Sequence, residues 1–150
     1  MGDSSGWSTC GYGELPEWLK MDCNPFFVSL QRPPLPSLKA CVKSVVRIHS
    51  ETAYIWTHLI AFVIFSINGI CFYFDKNDFP FKDKLVIVSL YASYSLAWLL
   101  SAVYHTTMCH SSQVNKWAKR MDYLGINICI TATGLGSGYF LFYNEDQFII

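Results

Sequence analysis

The chain has 150 residues, 52% of them apolar and 17% aromatic, only 15% charged, with eleven basic against eleven acidic side chains. A water-soluble domain carries about a quarter charged residues, so this composition excludes a soluble globular fold. The balanced charge gives no basic excess for nucleic acid and no acidic tail.

Residues 1–36 are comparatively polar and rich in Gly, Ser and Pro. The opening Met1-Gly2-Asp3-Ser4-Ser5-Gly6 lacks the basic stretch and apolar run of a secretory signal. Gly6 also stands where an N-myristoylation motif requires Ser or Thr. Such a composition cannot bury enough surface to offset ordering entropy. It predicts a flexible cytoplasmic segment that contributes nothing to the membrane core.

Pro33, Pro34 and Pro36 then block any helix from extending backwards. From residue 37 to 49 the pattern predicts an amphipathic helix, with Lys39, Lys43 and Arg47 as one basic stripe. Leu38, Val42, Val45, Val46 and Ile48 lie on its other side. Two readings stay open: a helix in the membrane interface with its apolar face down, or one packed on the bundle.

Three apolar stretches follow, at about 54–74, 85–104 and 124–143, and none contains Asp, Glu, Lys or Arg. Each reaches the roughly 20 residues that a spanning helix needs. Tyr54, Trp56, Tyr73, Tyr104, Tyr123 and Tyr143 mark their ends as aromatic belts do. The fold class is therefore an all-α membrane protein, with residues 37–150 as the membrane domain.

Orientation follows from the basic residues. Arg32, Lys39, Lys43, Arg47, Lys116, Lys119 and Arg120 lie on one side, against Lys76, Lys82 and Lys84 on the other. Seven against three predicts a multi-pass protein with a cytoplasmic N-terminus. Of the six cysteines, Cys71 and Cys129 lie within spans and Cys10, Cys23 and Cys41 precede them. No Cys-x-x-Cys pair occurs, so a disulfide framework is not expected.

Chemistry concentrates at the inner end of the second span, in Ser101-Ala102-Val103-Tyr104-His105-Thr106-Thr107-Met108-Cys109-His110-Ser111. If helix continues there, Ser101, His105 and Cys109 share one face. A His at the end of an apolar span is costly to bury unpaired, and imidazole is a common metal ligand. After a basic loop the chain re-enters at Asp122, read as the start of the third helix, where the macrodipole favours an anion. On residues alone, the pair reads either as a metal site or as a headgroup-level His beside a helix cap.

Elsewhere, His58, Asn68 and Asn127 are expected to hydrogen-bond between helices. In Gly134-Leu135-Gly136-Ser137-Gly138, the pair Gly134 and Gly138 has small-xxx-small packing spacing.

Four motifs occur in order. They are Asn24-Pro25-Phe26; His49-Ser50-Glu51-Thr52-Ala53-Tyr54-Ile55-Trp56-Thr57-His58; Ser101-x-x-Tyr104-His105-Thr106-x-x-Cys109-His110-Ser111; and Asp122-Tyr123-x-Gly125-Ile126. Together they resemble the progestin and adipoQ receptor family, which includes the adiponectin receptors and is related to the haemolysin III proteins. Ser50 and Tyr54 depart from that pattern, which has Asn at both places.

The resemblance implies a seven-helix bundle with a cytoplasmic N-terminus and a zinc ion near the cytoplasmic helix ends. His105 is implied as a zinc ligand, Asp122 as the residue that orients water at the metal, and Ser101 as part of the same site. Two further His ligands are implied from a last helix. Because the chain stops at Ile150 after three spans, it is expected to be a fragment or short form of such a receptor.

The full-length form would be a ceramidase-like lipid amide hydrolase and would signal for a hormone, steroid or lipid ligand. The alternative is a non-catalytic three-helix protein that associates with full-length relatives and modulates their assembly.

Overall fold

The computed structural model describes residues 7–26, 28–75 and 78–142. Residues 1–6, Lys76 and Tyr143, all invoked above, lie outside them. Among the described residues the secondary structure is helical, apart from an isolated antiparallel bridge between Cys10 and Gln31. A 3-10 turn at Tyr12–Glu14 and the short helices α1 (Glu17–Lys20) and α2 (Leu38–Ser44) precede three long helices. These are α3 (Thr52–Asp75), α4 (Phe81–Thr107) and α5 (Ser112–Leu141).

All three long helices have the length and apolar content to cross a membrane. Even α3, the shortest, with 24 residues, reaches about 36 Å at 1.5 Å per residue, against a hydrocarbon core of about 30 Å. Helix α4 packs along both α3 and α5. Ile60, Ile64 and Leu124 are among the large apolar side chains left exposed by this packing, as surfaces that meet lipid or further helices are.

Small and polar residues hold the three helices together, as expected where lipid removes the hydrophobic drive for association. Ser66 and Ser95 share a hydrogen bond between α3 and α4. Between α4 and α5, the Tyr94 and Thr133 hydroxyls lie 2.8 Å apart and Tyr139 donates to Asp83 at 2.7 Å. A Cβ on Gly125 would sit 3.0 Å from Ala97 Cα, and one on Gly136 would meet Leu90 Cδ1 at the same distance. Those two glycines make the close approach. Gly134 and Gly138, the pair expected to do so, have nothing within 4 Å. Asn68 and Asn127 likewise bond their own helices, to the Ile64 and Tyr123 carbonyls, rather than a neighbour.

Two boundaries differ from the sequence reading. The connection between the second and third spans is only residues 108–111, because α5 begins at Ser112, with the Ser111 hydroxyl accepting from the Val114 amide as its N-cap. At 30 residues, α5 is about 45 Å long, so its first turns, carrying Lys116, Lys119 and Arg120, project beyond the bilayer as helix. Asp122 is consequently three turns inside α5 and is no helix cap. Helix α2 is also shorter than residues 37–49. Arg47 leaves the basic stripe to donate to the Trp7 carbonyl at 3.1 Å, with its guanidinium over the Trp7 ring.

The largest difference lies before α2. Leu15, Leu19, Cys23 and Leu35 form one buried cluster with Cys41, Tyr104, Met108 and Cys109. The described residues of the stretch 7–36 therefore pack against the C-terminal end of α4 instead of standing apart from it. The Leu35 amide donates to the Cys109 carbonyl at 2.8 Å, and Lys119 pairs with Asp22. Leu30 adopts φ 63°, a left-handed turn that non-glycine residues seldom take, and its carbonyl accepts the Ser50 amide at 2.9 Å. The next two residues, Gln31 and Arg32, are both buried.

Candidate functional site

The inner ends of α3 and α4 meet the N-terminal segment at His105. Its Nδ1 lies 2.7 Å from Glu51 Oε2, and its ring stacks on Tyr54 at 5.0 Å with an interplanar angle of 10°. The His58 ring meets it edge-on at 5.3 Å. Glu51 and Tyr54 are three residues apart at the start of α3, so one turn supplies both the carboxylate and the stacking ring.

From the other side, Arg32 donates to the backbone carbonyls of His105 and Thr106 and to the Ser44 hydroxyl. A guanidinium there both satisfies orphan carbonyls at the end of α4 and complements its negative pole. His105 is thus fixed at its backbone by Arg32 and at its ring by residues of one stretch, Glu51, Tyr54 and His58.

Behind this pair sits His49, itself buried. Its Nδ1 accepts the Glu51 amide at 3.1 Å, so its Nε2 carries the proton and donates to the Ser44 carbonyl. Burial, reinforced by the Arg32 charge, lowers its pKa from 6.5 to about 4. His49 is a neutral bracket for Glu51 at physiological pH.

Ser101 and Asp122 come together. With His58, Trp98, Ile126 and Cys129 they line a cavity of about 400 Å³ between α4 and α5. Ser101 lies one turn before His105 on α4. Asp122 enters from α5, next to the Gly125–Ala97 close approach. The third member expected on that face, Cys109, does not join. Helix α4 ends at Thr107, and Cys109 turns into the N-terminal cluster, its sulfur 3.8 Å from that of Cys41. All six cysteines are free thiols. Burial, with the charges of Glu51 and Asp22, pushes the Cys23 thiol up to about 12.

Among the described residues no three His, Cys, Asp or Glu side chains converge into a metal site. What they offer is one imidazole suited to ligation: Nδ1 is held by a carboxylate, while Nε2 takes no partner from a described residue. Metal-bound His side chains are anchored through the other ring nitrogen in this way. Next to it, His58 Nδ1 is buried without a hydrogen-bond partner, an orphan that a polar occupant of the cavity would satisfy. Ser101 and Asp122 share the cavity, whereas His105 does not line it and meets it through the His58 ring.

The sequence reading missed Glu51, Tyr54 and Arg32. Glu51 was visible as an acid at the mouth of a span. Tyr54 was visible as a departure from the family pattern, and the stacking explains what that ring does. Nothing local marks Arg32, whose carbonyl partners on α4 lie more than 70 residues away.

Comparison with known proteins agrees with this architecture. The Haemolysin-III related family matches residues 46–150. The chain is 34% identical to the Adiponectin receptor protein of Drosophila melanogaster, over 95% of this chain and 32% of that protein. It is 38% identical to the Progestin and adipoQ receptor-like protein 1 of Caenorhabditis elegans, over 91% and 31%. It is 32% identical to the human Progestin and adipoQ receptor family member 3, over 88% and 43%. The chain spans about a third of the length of the first two relatives and somewhat more of the third. With three membrane-spanning helices, four motifs in order and a family match over most of its length, the chain belongs to the haemolysin-III-related family, alongside the progestin and adipoQ receptors.

Proposed function

We propose that this chain supplies the first three helices, and the first ligand, of a zinc-containing seven-helix membrane receptor with lipid amide hydrolase activity. The observation that carries the reading is that Ser101 and Asp122 line one cavity with His58, whose ring meets edge-on an imidazole backed by a carboxylate. Zinc held by His105 and by two His side chains from further helices would polarise an amide carbonyl as a Lewis acid.

The chain's own residues have separate tasks. His105 offers Nε2 as a ligand while Glu51 fixes its ring. Asp122 holds a water in the cavity by accepting its hydrogen, takes its proton as the oxygen attacks the carbonyl carbon, and returns that proton to the amide nitrogen as the C–N bond breaks. Ser101 donates its hydroxyl to the substrate carbonyl oxygen, where charge develops. Trp98, Ile126 and Cys129 keep the rest of the cavity apolar, which suits a lipid amide better than a peptide. The N-terminus and the docked segment 7–36 lie on the cytoplasmic side.

The test is hydrolysis of a short-chain ceramide by the chain assembled with the remaining helices, supplied in cis or by co-expression. Asp122→Asn should keep zinc at the level of the unmodified protein and cut turnover by about 10- to 100-fold or more. Zinc without hydrolysis in the unmodified assembly would favour the non-catalytic role, in which this chain modulates the assembly of its relatives. Unchanged hydrolysis in Asp122→Asn would remove Asp122 from the chemistry.

A further inference from the structure

We propose that Glu51 is the positioning residue for His105: its carboxylate holds the imidazole proton on Nδ1 and leaves Nε2 as the nitrogen with the lone pair. What Nε2 then does rests on the zinc reading above; the choice of tautomer does not.

The geometry is specific. Glu51 Oε2 and His105 Nδ1 lie 2.7 Å apart, with the Glu51 side chain 9% and the His105 side chain 17% exposed. A carboxylate has no proton to give, so the one between these atoms belongs to Nδ1. A neutral imidazole free in water prefers the opposite tautomer, with the proton on Nε2. The site therefore has to impose its choice, and it does so through a buried carboxylate whose backbone is held on both sides. The Glu51 amide donates to His49 Nδ1 at 3.1 Å, and its carbonyl accepts the Ile55 amide at 3.0 Å.

The imidazole is equally constrained. Tyr54 lies flat against one face, His58 meets it edge-on, and Arg32 grips the His105 carbonyl. Turning the ring over about Cβ–Cγ would put Cδ2, a carbon, where Nδ1 now meets Glu51, and the bond would be lost. A buried carboxylate is also costly unless paired, and His105 is the side chain that pairs with Glu51 among the described residues.

A purely structural role would fasten α3 to α4 without caring which nitrogen carries the proton. The tautomer separates the two readings. The full 150-residue chain, metal-free in lipid nanodiscs and labelled with ¹⁵N-histidine, presents four imidazoles. His105→Gln identifies its own signals by their loss. Near pH 8, long-range proton–nitrogen correlation should place His105 Nδ1 in the protonated, pyrrole-type class and Nε2 in the pyridine-type class. Glu51→Leu should move His105 to an exchange-averaged pair dominated by Nε2–H, while the His110 signals stay in place.

A wild-type His105 protonated on Nε2 overturns the proposal without reference to any variant. A tautomer unchanged in a folded Glu51→Leu overturns it as well. Zinc content, measured separately on the assembled protein, decides the metal reading. Zinc absent there, with Nδ1–H retained here, would end that reading and leave the Glu51 assignment standing.

Discussion

Replacing Arg32 with Ala tests whether the N-terminal segment is structurally part of the His105 site. Arg32 is 2% exposed and donates to the Thr106 carbonyl at 3.0 Å, to the Ser44 hydroxyl at 2.9 Å and to the His105 carbonyl. The substitution strands two carbonyls in the last turn of α4, while the Ser44 hydroxyl keeps its bond to the Cys41 carbonyl. Two stranded acceptors at about 1–2 kcal/mol each give a loss of about 2–4 kcal/mol. Part is offset because a buried guanidinium with an unpartnered Nε no longer has to be desolvated. The expected net loss is about 2 kcal/mol.

Stability of the segment is read as resistance to protease on warming in nanodiscs, following cleavage within residues 8–36. Arg32→Ala should be cleaved at a clearly lower temperature than the exposed control Lys39→Ala. Arg32→Lys should not rescue it, because a single ammonium cannot replace a fork reaching three acceptors. Equal resistance of Arg32→Ala and Lys39→Ala would refute the claim that this segment is docked through Arg32.

Gly125→Ala should destabilise the α4–α5 pair by about 1–3 kcal/mol, because its new Cβ would meet Ala97 Cα at 3.0 Å; heat unfolding beside Gly134→Ala, which has open space, checks it. His49 is neutral when folded, with its pKa lowered from 6.5 to about 4, so the unfolded chain binds more protons between those values. Its contribution should be complete above about pH 6.5 and fall by about 3 kcal/mol as the pH drops to about 4. His49→Gln should flatten that part of the pH–stability curve. For orientation, Cys23 is a poor reporter, being buried with a raised thiol pKa. Gly13→Cys, at an exposed position with nothing near its Cβ, should resist an impermeant thiol reagent in intact cells and react after permeabilisation.

How far the sequence disclosed the molecule depended on whether a residue's role was local. The spans were legible because an uncharged apolar run of bilayer length has one physical outcome. The start of α5 was not, because Lys116, Lys119 and Arg120 marked the bilayer boundary and charge was taken for loop. Ser111 as an N-cap, with no Gly or Pro from 112 to 124, was the signal for helix. The docking of residues 7–36 was hidden because Leu15, Leu19, Cys23 and Leu35 are scattered among polar residues and become a cluster only against Tyr104 and Met108. Ser101, His105 and Asp122 were singled out by motif, whereas Glu51 drew notice only once the fold set it 2.7 Å from His105.

The most direct measurement of the central claim is the zinc content of the purified protein assembled with the remaining helices, comparing the unmodified chain with His105→Ala and Asp122→Ala. The account predicts stoichiometric zinc in the unmodified assembly. It predicts loss of zinc in His105→Ala, where a ligand is gone, and retention of most of it in Asp122→Ala. It also predicts that this chain alone binds zinc weakly, since it offers one of the three His ligands. Stoichiometric zinc surviving in His105→Ala would contradict the account, taking His105 out of the site and the proposed chemistry with it.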